Sequence, residues 1–492
     1  MSPMRKPSNL QFVDSVVSAS SGLEKLASTS DGTACLDARI KVITPIIGGG
    51  SEAGTSGNAD PIRAASIRGA LRFWWRATVD CHGIGAAGLC EKERSLFGGT
   101  GSGDLGVPSR VKVSVKIENP GQFGPAGEHR RARQGQGGPP KPPSALAHFN
   151  CGPAYALWTL QQPDSVRNQS QYLGRACPTK SVRTGVSFSL CVTFPAEHES
   201  EIVTALRAWI AFGGYGARTR RGLGSLELLE DLRLSGGASV NTRTFPRCWT
   251  LNEIRTDLGG ALGTIGGPGL QHRWPHLKGA YVFVGSPCDS ARDAWENAIQ
   301  ALADIRQGEG TGRKKRDPVP DSKPGRSYWP EPDLLRTIRS TFGRVDWGTH
   351  APRTPLNRNF LRADFGLPIQ FKFQKGNPAA RNDPEADSTL SYAPTDRLAS
   401  PLIVKALPVN VDGRIQYAPM AVLLNVVRAN ALAGDVCLTF KNGSVYHPSA
   451  AELKPAATPF SLGSMPVPKN ADAFDIFFSN FTHLNHGFEV TI

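Results

Sequence analysis

The spacing of apolar residues divides the chain into two rounds of strands and helices, interrupted by Gly-rich segments. A partly alternating strand over 38–47 ends at Gly48-Gly49-Gly50. Gly, Ser, Thr and Asn fill much of 48–59 as a loop, and Asp60-Pro61 marks a helix start, with the proline near the first turn and Asp60 readable as a cap. Over 62–79, Ile67, Ala70, Leu71 and Trp74 recur on one helical face. Arg68, Arg72 and Arg76 form a second stripe beside it, four residues apart. Val, Lys, Val, Ser, Val, Lys, Ile alternate over 111–117 as a half-buried strand does, and 186–194 reads as another. Ile202, Ala205, Leu206, Trp209 and Ile210 predict a core-facing helix over 199–212 that stops at Gly213-Gly214. Leu226 and Leu228 then alternate in a short strand.

The second round begins at Gly279, with a strand over 281–284 and a helix over 291–305 carrying Trp295, Ile299, Leu302 and Ile305 on one face. Strand-like segments follow at 367–374, 402–409 and 419–427. This order predicts an α+β fold of two ferredoxin-like (RRM-like, βαββαβ) domains with loop insertions. The expected division is an N-terminal extension over 1–34, a first domain over 35–232, a linker over 233–278 and a second domain over 279–492. Within the first domain, 118–145 is rich in Gly, Pro, Gln and Arg and is expected as a disordered insertion. Residues 307–327, with Arg313-Lys314-Lys315-Arg316, are expected as a mobile loop.

Composition narrows the partners. The 492 residues carry 56 Lys and Arg against 42 Asp and Glu, a net charge of +14 that favours a polyanion, either nucleic acid or an anionic membrane surface. No apolar run of membrane-spanning length and no secretory signal is apparent, so a cytoplasmic protein is expected. Nine cysteines are scattered without a Cys-x-x-Cys pair, which reads as reduced thiols rather than a disulfide framework or a zinc site. No cofactor or metal is expected.

Three segments carry candidate chemistry. Gly213-Gly-Tyr-Gly-Ala-Arg-Thr-Arg-Arg-Gly-Leu-Gly224 combines five glycines with three arginines. Gly213, Gly214, Gly216, Gly222 and Gly224 permit close backbone approach, so exposed amides can cradle phosphate oxygens. Arg218, Arg220 and Arg221 add planar donor forks, and Tyr215 could stack on a base. An ordinary turn with solvated arginines is the alternative. A dinucleotide fingerprint is excluded by context, because this loop follows a helix and precedes a strand. The second segment is the arginine stripe of 62–79, which tracks a phosphate chain or is merely solvated; Trp74 within it reads as core. The third is Arg397-Leu-Ala-Ser-Pro-Leu-Ile-Val-Lys405, by itself a turn entering a core strand.

Taken in order, Thr44-Pro-Ile-Ile-Gly-Gly-Gly50 leading to Ile67-Arg-Gly-Ala-Leu-Arg-Phe-Trp-Trp-Arg76, then 213–224, then Arg397 through Ser400-Pro401 to Lys405, resemble the first subunit of the type III-B (Cmr) CRISPR effector, a member of the RAMP superfamily of RNA-binding ferredoxin-like proteins. The resemblance implies antiviral defence, a place near the 3′ end of the guide RNA, and partners in CRISPR RNA, target single-stranded RNA and other Cmr and RAMP subunits. It assigns RNA contact to Arg68, Arg72, Arg76, the 213–224 residues above and Lys405. The aromatic RNP signature is absent, so base stacking on a sheet face is not implied. A RAMP endoribonuclease is the rival, with His82 as its candidate base, and a structural cap without RNA contact is the third reading; binding without catalysis is expected.

Overall fold

The computed structural model describes residues 32–48, 61–99, 106–132, 140–236, 242–267, 274–307, 317–319, 322–326, 329–332, 334–335, 338, 359–372, 387–441, 443–455, 458–462 and 465–492. Its architecture is mixed α+β. In the first half, β1 (Thr33–Val42) alternates buried and open positions and pairs antiparallel with β3 (Ser187–Pro195), with Leu36 opposite Val192. β2 (Lys112–Asn119) flanks β3, while β4 (Leu226–Leu228) and β5 (Leu232–Gly236) share the other edge of β1. Helix α1 (Ala64–Thr78) follows β1, α2 (Ala86–Phe97) follows α1, and α3 (Glu199–Phe212) follows β3.

The second half repeats the plan. A five-stranded sheet contains β6 (His276–Val284), β7 (Leu402–Val411), β8 (Arg414–Asn425) and β9 (Phe488–Thr491), in the order β7-β8-β6-β9, with the short strand Trp249–Thr250 beside β7. Helix α5 (Ala291–Gln307) follows β6 and α6 (Ala473–Asn485) follows β8. β9 lies beside β6 as β4 lies beside β1, and β8 separates β6 from β7 as β3 separates β1 from β2.

Packing stacks the halves in layers. Leu36, Ile40 and Val192 of the first sheet share a core with Ile67 and Leu71 of α1, Leu206 and Trp209 of α3, and Val282, Ile403, Leu407 and Val422 of the second sheet. The opposite face of that second sheet, with Phe283, Val404 and Leu423, packs with Trp295 and Ile299 of α5 and Phe477 and Phe481 of α6. Helices α1 and α3 are therefore covered on two sides, which is why every residue of α3 from Ile202 to Phe212 is buried. β7 is buried on both faces, so its apolar residues run continuously instead of alternating. Leu438, Leu390 and Phe360 belong to a smaller third core.

Three stretches read as linker or loop carry secondary structure. The 233–278 stretch is not a bare linker: Thr250 and Glu253 form a capping box for α4 (Leu251–Leu262), which buries Ile254, Leu258 and Leu262. Gly259 and Gly260 disguised this helix, whose turn is broken at Asp257 (φ −159°). Within 118–145, Gln122–Pro125 pairs with Ser181–Thr184 and Gly127–His129 pairs with Ala147–Phe149; 133–139 lie outside the described residues. In 307–327, Asp317–Val319 pairs with Ser322–Arg326, whereas Arg313 to Arg316 lie outside the described residues, as do 1–31.

Candidate nucleic-acid interface

The Gly-rich segment leaves α3 at Gly213 and enters β4 through a folded loop. Tyr215 N–H donates to Gly224 O (2.8 Å), Gly224 N–H to Pro45 O (3.0 Å) and Ala217 N–H to Ile47 O (2.7 Å). Thr44 Oγ1 donates to Gly222 O (2.6 Å) and accepts from Ser225 N–H (2.8 Å), so the 44–47 segment clamps the loop. On the other side Trp295 Nε1–H donates to Arg221 O (2.7 Å), and a Cβ on Gly222 would stand 2.5 Å from that indole ring. The loop is thus wedged between the halves, and part of its backbone is spent on internal bonds rather than exposed.

A cavity of about 480 Å³ opens between this loop and the start of α1. Phe73, Trp74, Trp209, Phe212 and Tyr215 supply aromatic wall, Gly213, Gly214 and Gly216 supply backbone wall, and Arg63 and Arg220 supply charge. The Arg220 guanidinium lies 5.9 Å from the Phe73 ring centre, and burial pushes its pKa down. Among the described residues, the amides of Gly214, Gly216, Thr219 and Arg220 have no acceptor, and all four residues line the cavity. Helix α1 begins here without a side-chain cap and without an acidic residue in its first turn. Its positive dipole end is left for an anion. Tyr215 is buried and is not an open stacking platform; its hydroxyl accepts from Arg63 N–H at 2.8 Å and braces the helix start. Trp74, expected as core, is 3% exposed and yet forms cavity wall.

The α1 stripe does not join this cavity. Residues two apart on a helix point about 200° apart, so Arg68 and Arg72 face away from Ser66 and Ala70, which line it. Arg72 and Arg76 instead converge on Glu93 of α2, each at 2.6 Å, and one carboxylate neutralises half of their combined charge. Arg68 is exposed with no ion-pair partner among the described residues. Stripe and loop are therefore not brought together, and the cavity is served by Arg63 and Arg220. Arg63 was missed by spacing because it precedes the helix it serves.

A family model for the RAMP superfamily matches residues 39–227. Over this stretch the chain is similar to that superfamily. No curated protein matches the chain. Among solved structures, the chain resembles Cmr1 from Pyrococcus furiosus in its apo form, at 16% identity over 92% of this chain and 98% of that one, with a TM-score of 0.40. A chain of the type III-B Cmr-β complex bound to cognate target RNA matches at 11% identity over 80% and 94%, with a TM-score of 0.40. A chain of the Csm3–Csm4 subcomplex of the type III-A interference complex matches at 16% over 49% and 100%, with a TM-score of 0.22.

Lys405, expected to touch RNA, instead fastens the first half of the chain to the second. It is 0% exposed, and its Nζ donates to Ile210 O (3.1 Å) and Gly213 O (2.9 Å) at the end of α3. A cation there meets the negative end of the helix dipole and two carbonyls left without helical donors. Burial lowers its pKa to about 7. His82 lies beyond the opposite end of α1, about 22 Å along that helix from Arg63, and its N–H is bonded to Asp80 Oδ1 (3.0 Å). Sequence spacing also hid a thiol pair: Cys35 and Cys191 lie 2.9 Å apart across β1 and β3, beside Asp37. Among the described residues these three form the one group placed to hold a metal ion, on the first sheet and away from the cavity. The shared hydrogen bond raises the Cys35 pKa and lowers that of Cys191. No helix among the described residues is long and apolar enough to cross a membrane.

Proposed function

We propose that this protein is the Cmr1-like subunit of a type III-B CRISPR effector, and that it binds single-stranded RNA without cutting it. On this reading it holds guide and target RNA near the guide 3′ end, beside other Cmr and RAMP subunits, in antiviral defence. Each half is then a ferredoxin-like βαββαβ unit. The observation that carries RNA binding is the cavity at the start of α1, where aromatic wall, two arginines, free amides and an uncapped helix end meet. Aromatic faces accept any base, and the cations and amides suit phosphates. Binding without cleavage is supported by the position of His82, outside the residues that line the cavity.

With Arg63, Arg218, Arg220 and Arg221 neutralising about four phosphates, log K for single-stranded RNA should fall with log salt at a slope of about −2.8. That is roughly a fifty-fold loss between about 50 and 200 mM salt. Replacing Arg63 and Arg220 together with Gln should reduce the slope by about 1.4 and weaken unrelated RNAs alike. Filter binding of the purified chain to two unrelated oligonucleotides measures both effects. An unchanged slope would defeat the reading, and so would guide RNA cut at one site in EDTA by the wild type but not by His82→Ala.

A further inference from the structure

We infer that Arg306 of α5, together with Arg218 and Arg221 of the Gly-rich loop, forms a second phosphate seat, so that a bound RNA strand crosses from the first half of the chain onto the second. The inference rests on the RNA-binding reading above and extends it to Arg306, which neither the sequence motifs nor the cavity includes.

All three residues are largely buried, and the hydrogen-bond partners of their guanidinium groups are backbone carbonyls. Arg218 Nε–H donates to Ala156 O (3.1 Å), Arg221 Nη1–H to Arg220 O (3.3 Å) and Arg306 Nη1–H to Phe365 O (3.3 Å). Among the described residues none of them has a carboxylate within ion-pair distance. The neighbouring Glu331 is already engaged by Arg362 at 3.2 Å. Arginine clusters elsewhere in the fold are compensated: Arg72 and Arg76 share Glu93, and Arg428 pairs with Asp472. Burying several like charges without a counter-ion is unfavourable unless the missing charge arrives with a ligand. The cost shows in the Arg221 pKa, which burial and then Arg306, Arg218 and Arg220 lower to about 10.

The scaffold holds the cluster in place against its own repulsion. Arg218 sits in the left-handed region at φ +60°, and Trp295 of α5 bonds the Arg221 carbonyl. Arg306 occupies the last turn of α5, where the helix dipole welcomes a cation, and Arg218 bonds a carbonyl of the one-turn helix Ala154–Leu157. Arg220 lies between those two residues in sequence and lines the cavity, so the backbone of one strand can pass from Arg63 and Arg220 to Arg218, Arg221 and Arg306.

RNA length separates the two seats. In the full-length protein, a short oligonucleotide of four residues occupies the cavity alone and a twelve-residue one spans both seats. Arg306→Gln should lower the salt slope by about 0.7 for the longer RNA and leave the shorter one unchanged. Arg63→Gln should affect both, and Arg306→Lys should restore the longer RNA's slope. In the wild type, phenylglyoxal labelling of Arg306 should be blocked by the twelve-residue RNA and not by the four-residue one. If the wild type binds and Arg63→Gln weakens it, while Arg306→Gln changes nothing and Arg306 stays open to labelling, the second seat is wrong and the cavity stands. If the wild type binds neither RNA, the RNA-binding reading itself fails.

Discussion

Gly224→Ala should destabilise the protein by at least about 3 kcal/mol and abolish RNA binding in the same step. Gly224 has φ +64°, and a Cβ there would stand 1.8 Å from Tyr215 O. The left-handed conformation alone costs an L-residue about 1–2 kcal/mol; the collision adds the displacement of Tyr215. That displacement breaks the Tyr215 N–H to Gly224 O bond and withdraws the hydroxyl that accepts from Arg63 N–H. One methyl group therefore reaches both walls of the cavity. Gly185→Ala is the matched control, since Gly185 has φ +74° but nothing within 4 Å of its Cβ position. It should cost about 1–2 kcal/mol from conformation alone and leave RNA affinity intact. Denaturant unfolding and filter binding of the two variants make the comparison. Equal effects of the two substitutions would show that the packing of the loop does not shape the site.

The elements most legible in the sequence are those whose pattern does not depend on a distant neighbour. Helix α3 is observed over the same residues as its apolar spacing predicts, because its stripe is long and Gly213 ends it. Helix α2 escaped notice: its buried set includes Glu93, and a buried acid is intelligible only beside Arg72 and Arg76. The same reason limited the site. Gly and Arg marked the loop, but helical spacing cannot say which face of α1 meets it, and that phase decides whether the 68–76 stripe or Arg63 serves the cavity. Arg306 lies in the other half, about 90 residues from the loop, and only the stacking of the two halves brings it near.

Lys405→Met should lower stability by about 1–3 kcal/mol near pH 7, and the deficit should widen as the pH rises toward 10. Met keeps the length of the aliphatic stem but leaves Ile210 O and Gly213 O without their donor. Those unpaired carbonyls outweigh the relief of removing a buried charge, because each costs about 1–3 kcal/mol when left unsatisfied. The pH dependence follows from the lowered pKa, about 7 in the folded chain against an ordinary value of 10.5. Between those limits the unfolded chain holds more protons at this lysine than the folded one, so deprotonation favours folding. The wild type should therefore gain on the variant by up to about 1.4 kcal/mol per pH unit above pH 7, with no such gain below it. A neutral amine still donates to both carbonyls, so the contact survives the loss of charge. Urea unfolding of both proteins from pH 6 to 10 isolates this one group, since every other titration is common to the pair. A difference that stays flat across that range would mean that Lys405 keeps its proton in the fold. The end of α3 would then be held by a charge rather than by an amine, and the loop that follows it would owe its position to the helix dipole.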